Sequence, residues 1–527
     1  MSTLVQPTVE KVEPQRLPQA GSALLVLFGA TGDLSRRKLM PALYDLACLG
    51  CTHRNFDVLG IGRTPLSDEQ FRQRMHDGAA DSSDSRGFSE DGWKDFASRL
   101  HYFIGDADKP DFYPALKQKI EELQKQGASN NILFYVSTSA SLAPPIVEGL
   151  GKAGLAHNDE GWTRIVLEKP FGHDLQSARE LNEIVSHVFE EEAVYRIDHY
   201  LGKETVQNIM VFRFGNSMYE PIWNRNYIDY VEISAAEKLG VESRAAFYEE
   251  TGALRDMVAN HMLQLLALTA MEPPVAFDEH SVREQKVQVF RAIRPMTVEE
   301  VAQRTLRGQY GPGTIDGKQV PGYRQEKGVN PNSNTETYAA VEFHVDNWRW
   351  AGVPFYVRAG KRLANHLTEV AVHFKRTPQA LFASRPGDVH HNVITLRIQP
   401  DEGIGINFEA KAPGTQMRAT RVNMDFSYKD AFGSDSPAAY ETLLLDAMRG
   451  DATLFTRRDE VEAEWQIITP IEEAWAQLPP PSLPNYASGS EGPADADAMI
   501  KYDRNRWRPL KRDNGGNLQN PVVSQFE

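Results

Sequence analysis

Apolar residues first gather at positions 22–28, a continuous Leu/Val-rich run closed by Gly29. A run of that length without alternation is what a strand buried on both faces requires. From Leu34 onward Leu39, Leu43 and Leu46 recur at three- and four-residue spacing until Gly50 stops them, which predicts a helix. Residues 57–61 read as a second strand, and 132–137 and 163–167 repeat the strand pattern between helical or turn segments. Strands alternating with helices predict a mostly parallel sheet covered on both sides. After about residue 205 strand-like stretches at 230–235, 338–344, 370–374 and 393–399 follow with fewer helices between them, which predicts an α+β domain on a large, mostly antiparallel sheet. The expected division is an N-terminal arm over 1–20, a first domain over 21–200, a second over 201–510 and a tail over 511–527. Residues 479–493, rich in Pro, Ser and Gly, are expected to wrap the surface or to be partly mobile.

A length of 527 residues exceeds what one core supports, in keeping with two domains. The formal net charge of -15 argues against non-specific binding to nucleic acid or to an anionic membrane. It also means that an anionic ligand must be held by local positive groups. The first twenty residues carry prolines and charges but no apolar signal region, and the apolar run at 23–28 is too short to span a bilayer, so a cytoplasmic protein is expected. Cys48 and Cys51, the only cysteines, form a C-x-x-C pair. Zinc takes about four ligands and no second Cys/His pair accompanies them, so they are expected to be ordinary thiols at a helix end, with no metal site.

Chemistry first appears in Gly29-Ala30-Thr31-Gly32-Asp33-Leu34-Ser35, between the first strand and the first helix. Such a turn lets the backbone approach a pyrophosphate lying on the helix N-terminus, as in a Rossmann-type dinucleotide-binding domain. Gly29 would supply the tight turn and Gly32 the room for phosphate oxygens, while Ser35 replaces the usual third glycine. The bland alternative is a plain strand-to-helix turn capped by Asp33. The second strand ends in Gly60-Ile61-Gly62-Arg63-Thr64, with an arginine where an acid would bind the ribose of NAD. Arg63 can pair with a 2′-phosphate, so NADP is expected over NAD, with NAD left open as a second cofactor; a solvated surface arginine is the alternative.

The run Arg196-Ile197-Asp198-His199-Tyr200-Leu201-Gly202-Lys203 packs a carboxylate, an imidazole and an ammonium group into one short stretch. If helical, it places His199 and Lys203 on one face, able to grip a small anion; an exposed charged helix is the alternative. Alcohol oxidation by hydride transfer also needs a general base, and His261 is the candidate. Leu254, Met257 and Val258 share its helical face, so on local sequence alone a core histidine is the readier reading.

The octapeptide resembles the substrate signature of glucose-6-phosphate dehydrogenases, and Arg255-Asp256 with Asn260-His261 resembles their R-D-x-x-x-N-H stretch. The resemblance extends from about residue 22 to 510. It implies that His261 is the proton acceptor, that Asp198 orients it, that His199 and Lys203 are phosphate ligands, and that Asp256 holds the sugar. Glu168-Lys169-Pro170-Phe171-Gly172 matches a motif whose lysine lies between cofactor and substrate and whose proline often follows a cis bond. Glu237 matches a sugar-hydroxyl ligand and Lys361 a second substrate lysine, while Gly29, Thr31, Gly32, Asp33, Leu34, Arg63 and Tyr135 fall at cofactor positions. The blocks from Tyr219 to Asn224 and from Gly450 to Phe455 are expected to be structural.

Two departures stand out. His366 replaces the usual basic residue near the phosphate, and the prolines that many relatives carry soon after Tyr135 come later, at Pro144 and Pro145. The implied activity is NADP-dependent oxidation of glucose 6-phosphate at C1 to the 6-phosphoglucono-lactone, the first step of the oxidative pentose phosphate pathway, by a homodimer or homotetramer. One rival is a related dehydrogenase acting on another sugar phosphate or on free glucose, suggested by His366. The other is a non-catalytic NADP-binding regulator, whose mark would be a missing base or phosphate lysine.

Overall fold

In the computed structural model, residues 18–82, 87–379, 381–382, 390–433, 436–500 and 507–510 are described. Six strands, β1 (Ala23–Phe28), β2 (Phe56–Gly62), β3 (Leu100–Ile104), β4 (Ile132–Val136), β5 (Thr163–Glu168) and β6 (Val194–Ile197), form the first sheet. All pairings are parallel, in the order β3-β2-β1-β4-β5-β6. Every residue of β1 and β4 is buried, which is why their sequences show no polar alternation. The strand order reverses beside β1, and such a switch point opens a ligand crevice at the carboxyl ends of the strands.

The expected β1, β2, β4 and β5 are found within a residue or two, whereas β3 and β6 had not been anticipated. β6 corrects the reading of the octapeptide as a helix. Arg196 and Ile197 are strand, 198–202 turn, and Lys203 is the residue before helix Glu204–Phe214. The cause is local: Asp198 Oδ1 accepts from the Tyr200 N–H at 2.9 Å and Asp198 O from the Leu201 N–H at 3.0 Å, an Asx-type turn that ends the strand before helix can begin.

Sheet two contains β7 (Ile228–Ala236), β8 (Thr305–Gly308), β12 (Tyr338–His344), β13 (Pro354–Gly360), β14 (Leu367–Phe374), β15 (Val393–Gln399), β16 (Gly403–Lys411) and β17 (Ala419–Ser427). Their order is β17-β16-β15-β14-β7-β13-β12-β8, with β7 and β13 parallel and all other neighbours antiparallel. The short strands β9 (Tyr310–Gly311), β10 (Gly313–Ile315), β11 (Lys318–Val320) and β18 (Tyr486–Ala487) make two small ribbons. β13 escapes the sequence pattern because it opens on proline and carries Arg358, which is buried and satisfied by Ser234 Oγ at 2.9 Å.

The proline-rich stretch wraps the surface but is fixed in place. β18 pairs with β9, and the Tyr486 hydroxyl donates to Lys361 O at 2.8 Å. The late prolines Pro144 and Pro145 lie in the first turn of helix Ala143–Lys152, where proline costs no backbone bond. Of the expected arm, 1–17 lie outside the described residues, as does the whole tail 511–527; Ala20 N–H is docked on Cys51 O at 2.8 Å. Cys48 is exposed and Cys51 buried, and they form no disulfide.

Helix Arg458–Gln477 packs on helix Leu175–Ser186, on helix Glu279–Arg291 and on the segment Leu254–Met262, so it bridges the two sheets. Trp465 Nε1 donates to Phe171 O at 2.9 Å across this junction. Lys286 and Glu460, both fully buried, form an ion pair at 2.8 Å, and Lys286 Nζ also donates to Gln264 Oε1 at 3.0 Å. Removing one partner of such a pair strands the other charge away from water. Glu460→Gln is therefore expected to destabilise the protein by about 3–5 kcal/mol, read as a lowered denaturation midpoint; an unchanged midpoint would refute this.

Candidate functional site

The first sheet delivers its glycine turn at the carboxyl end of β1. Gly29 has φ +77°, and a Cβ there would lie 2.2 Å from the Ser137 carbonyl oxygen, so only glycine fits. Gly32 N–H donates back to Gly29 O at 2.9 Å. Ser35, in place of the third glycine, is buried and its hydroxyl donates to Gly29 O at 3.0 Å, clasping the turn from within. Asp33 pairs with Arg37 at 2.8 Å. Thr31, Gly32 and Asp33 line a cleft of about 310 Å³ together with Arg36, Arg74 and Asp77. Leu34 is half-buried beneath it and Arg63 is exposed just past β2. This cradle, free of side chains where the backbone is tightest, fits a dinucleotide pyrophosphate. Tyr135 is fully buried in β4, and its hydroxyl donates to Glu168 Oε1 at 2.6 Å.

His261 sits in the segment Leu254–Met262, wound as a π-helix and not as the α-helix its apolar spacing suggested. A π-helix bonds each residue to the one five on, and here Asp256 and His261, five apart, both reach one lysine. Gly252 (φ +63°) leads into this winding, and the Glu336 carboxylate accepts from Leu254 N–H at 3.1 Å. Lys169 Nζ donates to Asp256 O at 2.8 Å and Asp256 Oδ1 at 3.3 Å, and lies 3.0 Å from His261 Nε2. The Lys169-Pro170 peptide is cis. On the opposite side of the ring His261 Nδ1 meets Asp198 Oδ1 at 2.5 Å, although the two are 63 positions apart in sequence.

That contact fixes the imidazole with its proton on Nδ1 and its lone pair on Nε2. Burial pushes the His261 pKa below its ordinary value, and the Asp198 charge only partly offsets this, so the ring is neutral near pH 7. Burial alone would raise the Asp198 carboxyl; attraction to His261, the hydrogen bond between them and the nearby His199 hold it below the usual carboxylate range. Tyr200 stacks on His261 at 4.2 Å and His199 meets it edge-on at 4.6 Å. Ligand atoms of Asp198, His199 and His261 lie within 4.8 Å of one another, a spacing a cation could use, but both ring nitrogens of His261 already have partners.

The sugar-side residues converge from the second sheet. Glu237 follows β7 and Lys361 follows β13, and these parallel neighbours end together, Ala236 opposite Gly360. Lys361 Nζ pairs with Glu237 Oε2 and stands 4.0 Å from Asp256 Oδ2. Burial would raise Asp256, but Lys169 and Lys361 bring it down to about 2. Lys203 Nζ lies over the Tyr200 ring at 4.4 Å and donates to Gln399 Oε1. Burial lowers the Lys203 pKa to about 8. Burial likewise keeps His199 well below its usual value. His366 is exposed in the β13–β14 loop, its backbone N–H on Asn365 Oδ1 at 3.0 Å.

Three participants escaped sequence reasoning. Gln399 ends β15 and holds Lys203; Tyr440 stacks parallel to His199 at 6.3 Å; Glu168 accepts from Tyr440 at 3.2 Å. The acid of the Glu168-Lys169 motif was the available signal for Glu168, and burial raises its pKa to about 7. Gln399 and Tyr440 sit in ordinary strand and helix sequence.

A parallel sheet with a glycine cradle, set beside a neutral imidazole backed by a carboxylate, defines a nicotinamide-dependent alcohol dehydrogenase. Residues 26–208 match the family model for the NAD binding domain of glucose-6-phosphate dehydrogenase, and residues 210–508 match that for its C-terminal domain. The chain belongs to the glucose-6-phosphate dehydrogenase family. It is 46% identical over 492 residues to the glucose-6-phosphate 1-dehydrogenase of Aggregatibacter actinomycetemcomitans, covering 93% of this chain and 98% of the relative. With that of Bacillus subtilis the identity is 42%, covering 93% and 99%. A solved glucose-6-phosphate dehydrogenase in complex with its substrate glucose-6-phosphate superposes with a TM-score of 0.82 at 34% identity, covering 92% of this chain and 98% of that one. The Mycobacterium avium enzyme gives 0.78 at 35%, covering 93% and 98%.

The cradle makes a direct prediction. Gly29→Ala forces a Cβ into the Ser137 carbonyl and is expected to weaken NADP+ binding by at least about a hundredfold in a fluorescence titration. Unaltered binding would show that the dinucleotide does not use this turn.

Proposed function

We propose that this chain oxidises glucose 6-phosphate at C1 to the 6-phosphoglucono-lactone with reduction of NADP, opening the oxidative pentose phosphate pathway. The observation that carries the reading is the junction of Asp198, His261, Lys169 and Asp256, in which a buried neutral imidazole presents Nε2 to a site lined by lysines and carboxylates. His261 Nε2 takes the C1 hydroxyl proton, and Asp198 holds Nδ1–H and stabilises the imidazolium that forms. Lys169, held on Asp256 O, stays beside the substrate hydroxyl at Nε2. His199 and Lys203 bind the phosphate, with His366 at the position where relatives carry a stronger cation. Glu237, Asp256 and Lys361 bind sugar hydroxyls, and the remote phosphate contacts position C1 for reaction.

Gly29, Thr31, Gly32, Asp33, Leu34, Arg63 and Lys169 hold NADP, with Tyr135 acting through Glu168 next to Lys169; NAD stays open as a second cofactor. The bound nicotinamide supplies the hydride acceptor. Residues 21–200 are the dinucleotide domain and 201–510 the substrate and dimerisation domain, a division supported by the first sheet ending at Ile197 and the second starting at Ile228. A homodimer or homotetramer is proposed, supported by the outer strand β17, which leaves Met424 60% exposed. The proposed setting is the cytoplasm, supported by two cysteines that form no disulfide and by the absence, among the described residues, of a helix long and apolar enough to cross a membrane.

The test is nicotinamide reduction by purified protein with glucose 6-phosphate or free glucose, and with NADP or NAD. His261→Asn is expected to lower kcat by about 10²–10⁴-fold with modest effect on KM, while Lys203→Ala mainly raises KM. No turnover by a folded protein would overturn the assigned substrate. The pH profile adds a second check. His261 must be neutral, so kcat/KM falls only as pH drops below about 6.5. Lys203 must be charged, so kcat/KM falls again as pH rises through about 8. Lys203→Arg, charged at every working pH, is expected to abolish the alkaline limb; a limb that persists would belong to another group.

A further inference from the structure

The cleft beside the glycine turn carries a positive group that the reading above does not employ. Arg74 is exposed on helix Asp68–Ala80, and its Nη2 donates to Thr31 O at 2.9 Å. Thr31 in turn stands over the end of β2, where a Cβ on Gly62 would meet Thr31 Oγ1 at 3.2 Å, and Gly62 immediately precedes Arg63. Tyr102 closes the same corner, its hydroxyl donating to Thr64 O at 2.8 Å. The Arg74 charge acts on that phenol, opposing the effect of its burial. Thr31 thus meets the end of β2, one residue before Arg63, on one side and Arg74 of the following helix on the other.

Acids in the cleft are already committed. Asp33 pairs with Arg37 at 2.8 Å, and Asp77 accepts from Gln73 at 2.9 Å and meets His76 Nδ1 at 3.3 Å. Arg74 makes no ion pair among the described residues, and a single bond to Thr31 O leaves most of its five donors unused. Its planar head is held in orientation by that carbonyl, so little freedom is lost when an anion arrives. In a chain of net charge -15, one exposed arginine is a weak and salt-screened holder of a phosphate dianion. A second cation, on the chain position that follows Gly62 at the same corner, makes a site for it.

We propose that Arg74 is a second ligand of the adenosine 2′-phosphate, acting with Arg63 across Thr31 and setting the preference for NADP over NAD. The inference rests on the reading of the chain as an NADP-dependent dehydrogenase. It is tested by calorimetric titration of wild type, Arg74→Ala and Arg74→Lys with NADP+, NAD+ and adenosine 2′,5′-bisphosphate. Arg74→Ala is expected to weaken NADP+ and the bisphosphate by about tenfold, to leave NAD+ within about twofold, and to flatten the salt dependence of NADP+ binding; Arg74→Lys should recover part of the loss. Equal weakening of NADP+ and NAD+ would mean that Arg74 only shapes the turn through Thr31, and no change in either would make it a bystander; both overturn the inference while leaving the dehydrogenase reading intact. A wild-type protein that binds neither dinucleotide overturns the dehydrogenase reading, and this inference with it.

Discussion

The contact between His261 and Asp198 is the constraint on which the rest of the molecule turns. Asp198 is fixed by the turn that ends the first sheet, and His261 by a π-wound segment packed under the second. Neither half contains this pair by itself. The two sheets must dock to within hydrogen-bonding precision, and the buried junction that secures this is built from helix Arg458–Gln477, the Lys286–Glu460 pair and Trp465. Burial then does double duty: the low polarity that would penalise a lone carboxylate also keeps the imidazole neutral.

Around that contact the charges alternate. Glu237, Lys361, Asp256 and Lys169 succeed one another before His261 and Asp198 complete the series. An acidic protein can hold an anionic substrate because these positive groups face inward, compensated locally by partners that a sugar's hydroxyls can replace. Lys203 is the exception. Its partner Gln399 is neutral, so its charge stays available to an anion, at the cost of an ammonium that gives up its proton more readily than usual.

Much of this was legible in the chain. Buried parallel strands announce themselves as unbroken apolar runs, and Gly29 and the acid-imidazole-lysine octapeptide are chemically conspicuous. What was hidden depends on backbone geometry that side-chain periodicity does not encode. Leu254, Met257 and Val258 fit an α-helix as well as the π-helix they adopt, and Asp198 defeats the helical reading of its own motif by accepting from the backbone two residues on. Gln399 and Tyr440 enter the site from elements whose sequences serve the core first, so no local pattern marks them. β13 hid behind a proline and a buried arginine whose partner lies on another strand.

The loop that carries Lys361 is clamped in part from the chain's far end. Tyr486 holds the Lys361 carbonyl, Gly489 N–H donates to Arg362 O, Ala364 N–H donates to Ser490 O, and Asn365 reaches Leu510 O. Synthesis runs from the N-terminus, and domains generally fold as they emerge. The first parallel sheet can therefore form on the ribosome while the loop that carries Lys361 waits for residues 486–510 to be released. A nascent chain of this family would gain its cofactor cradle well before it could oxidise anything.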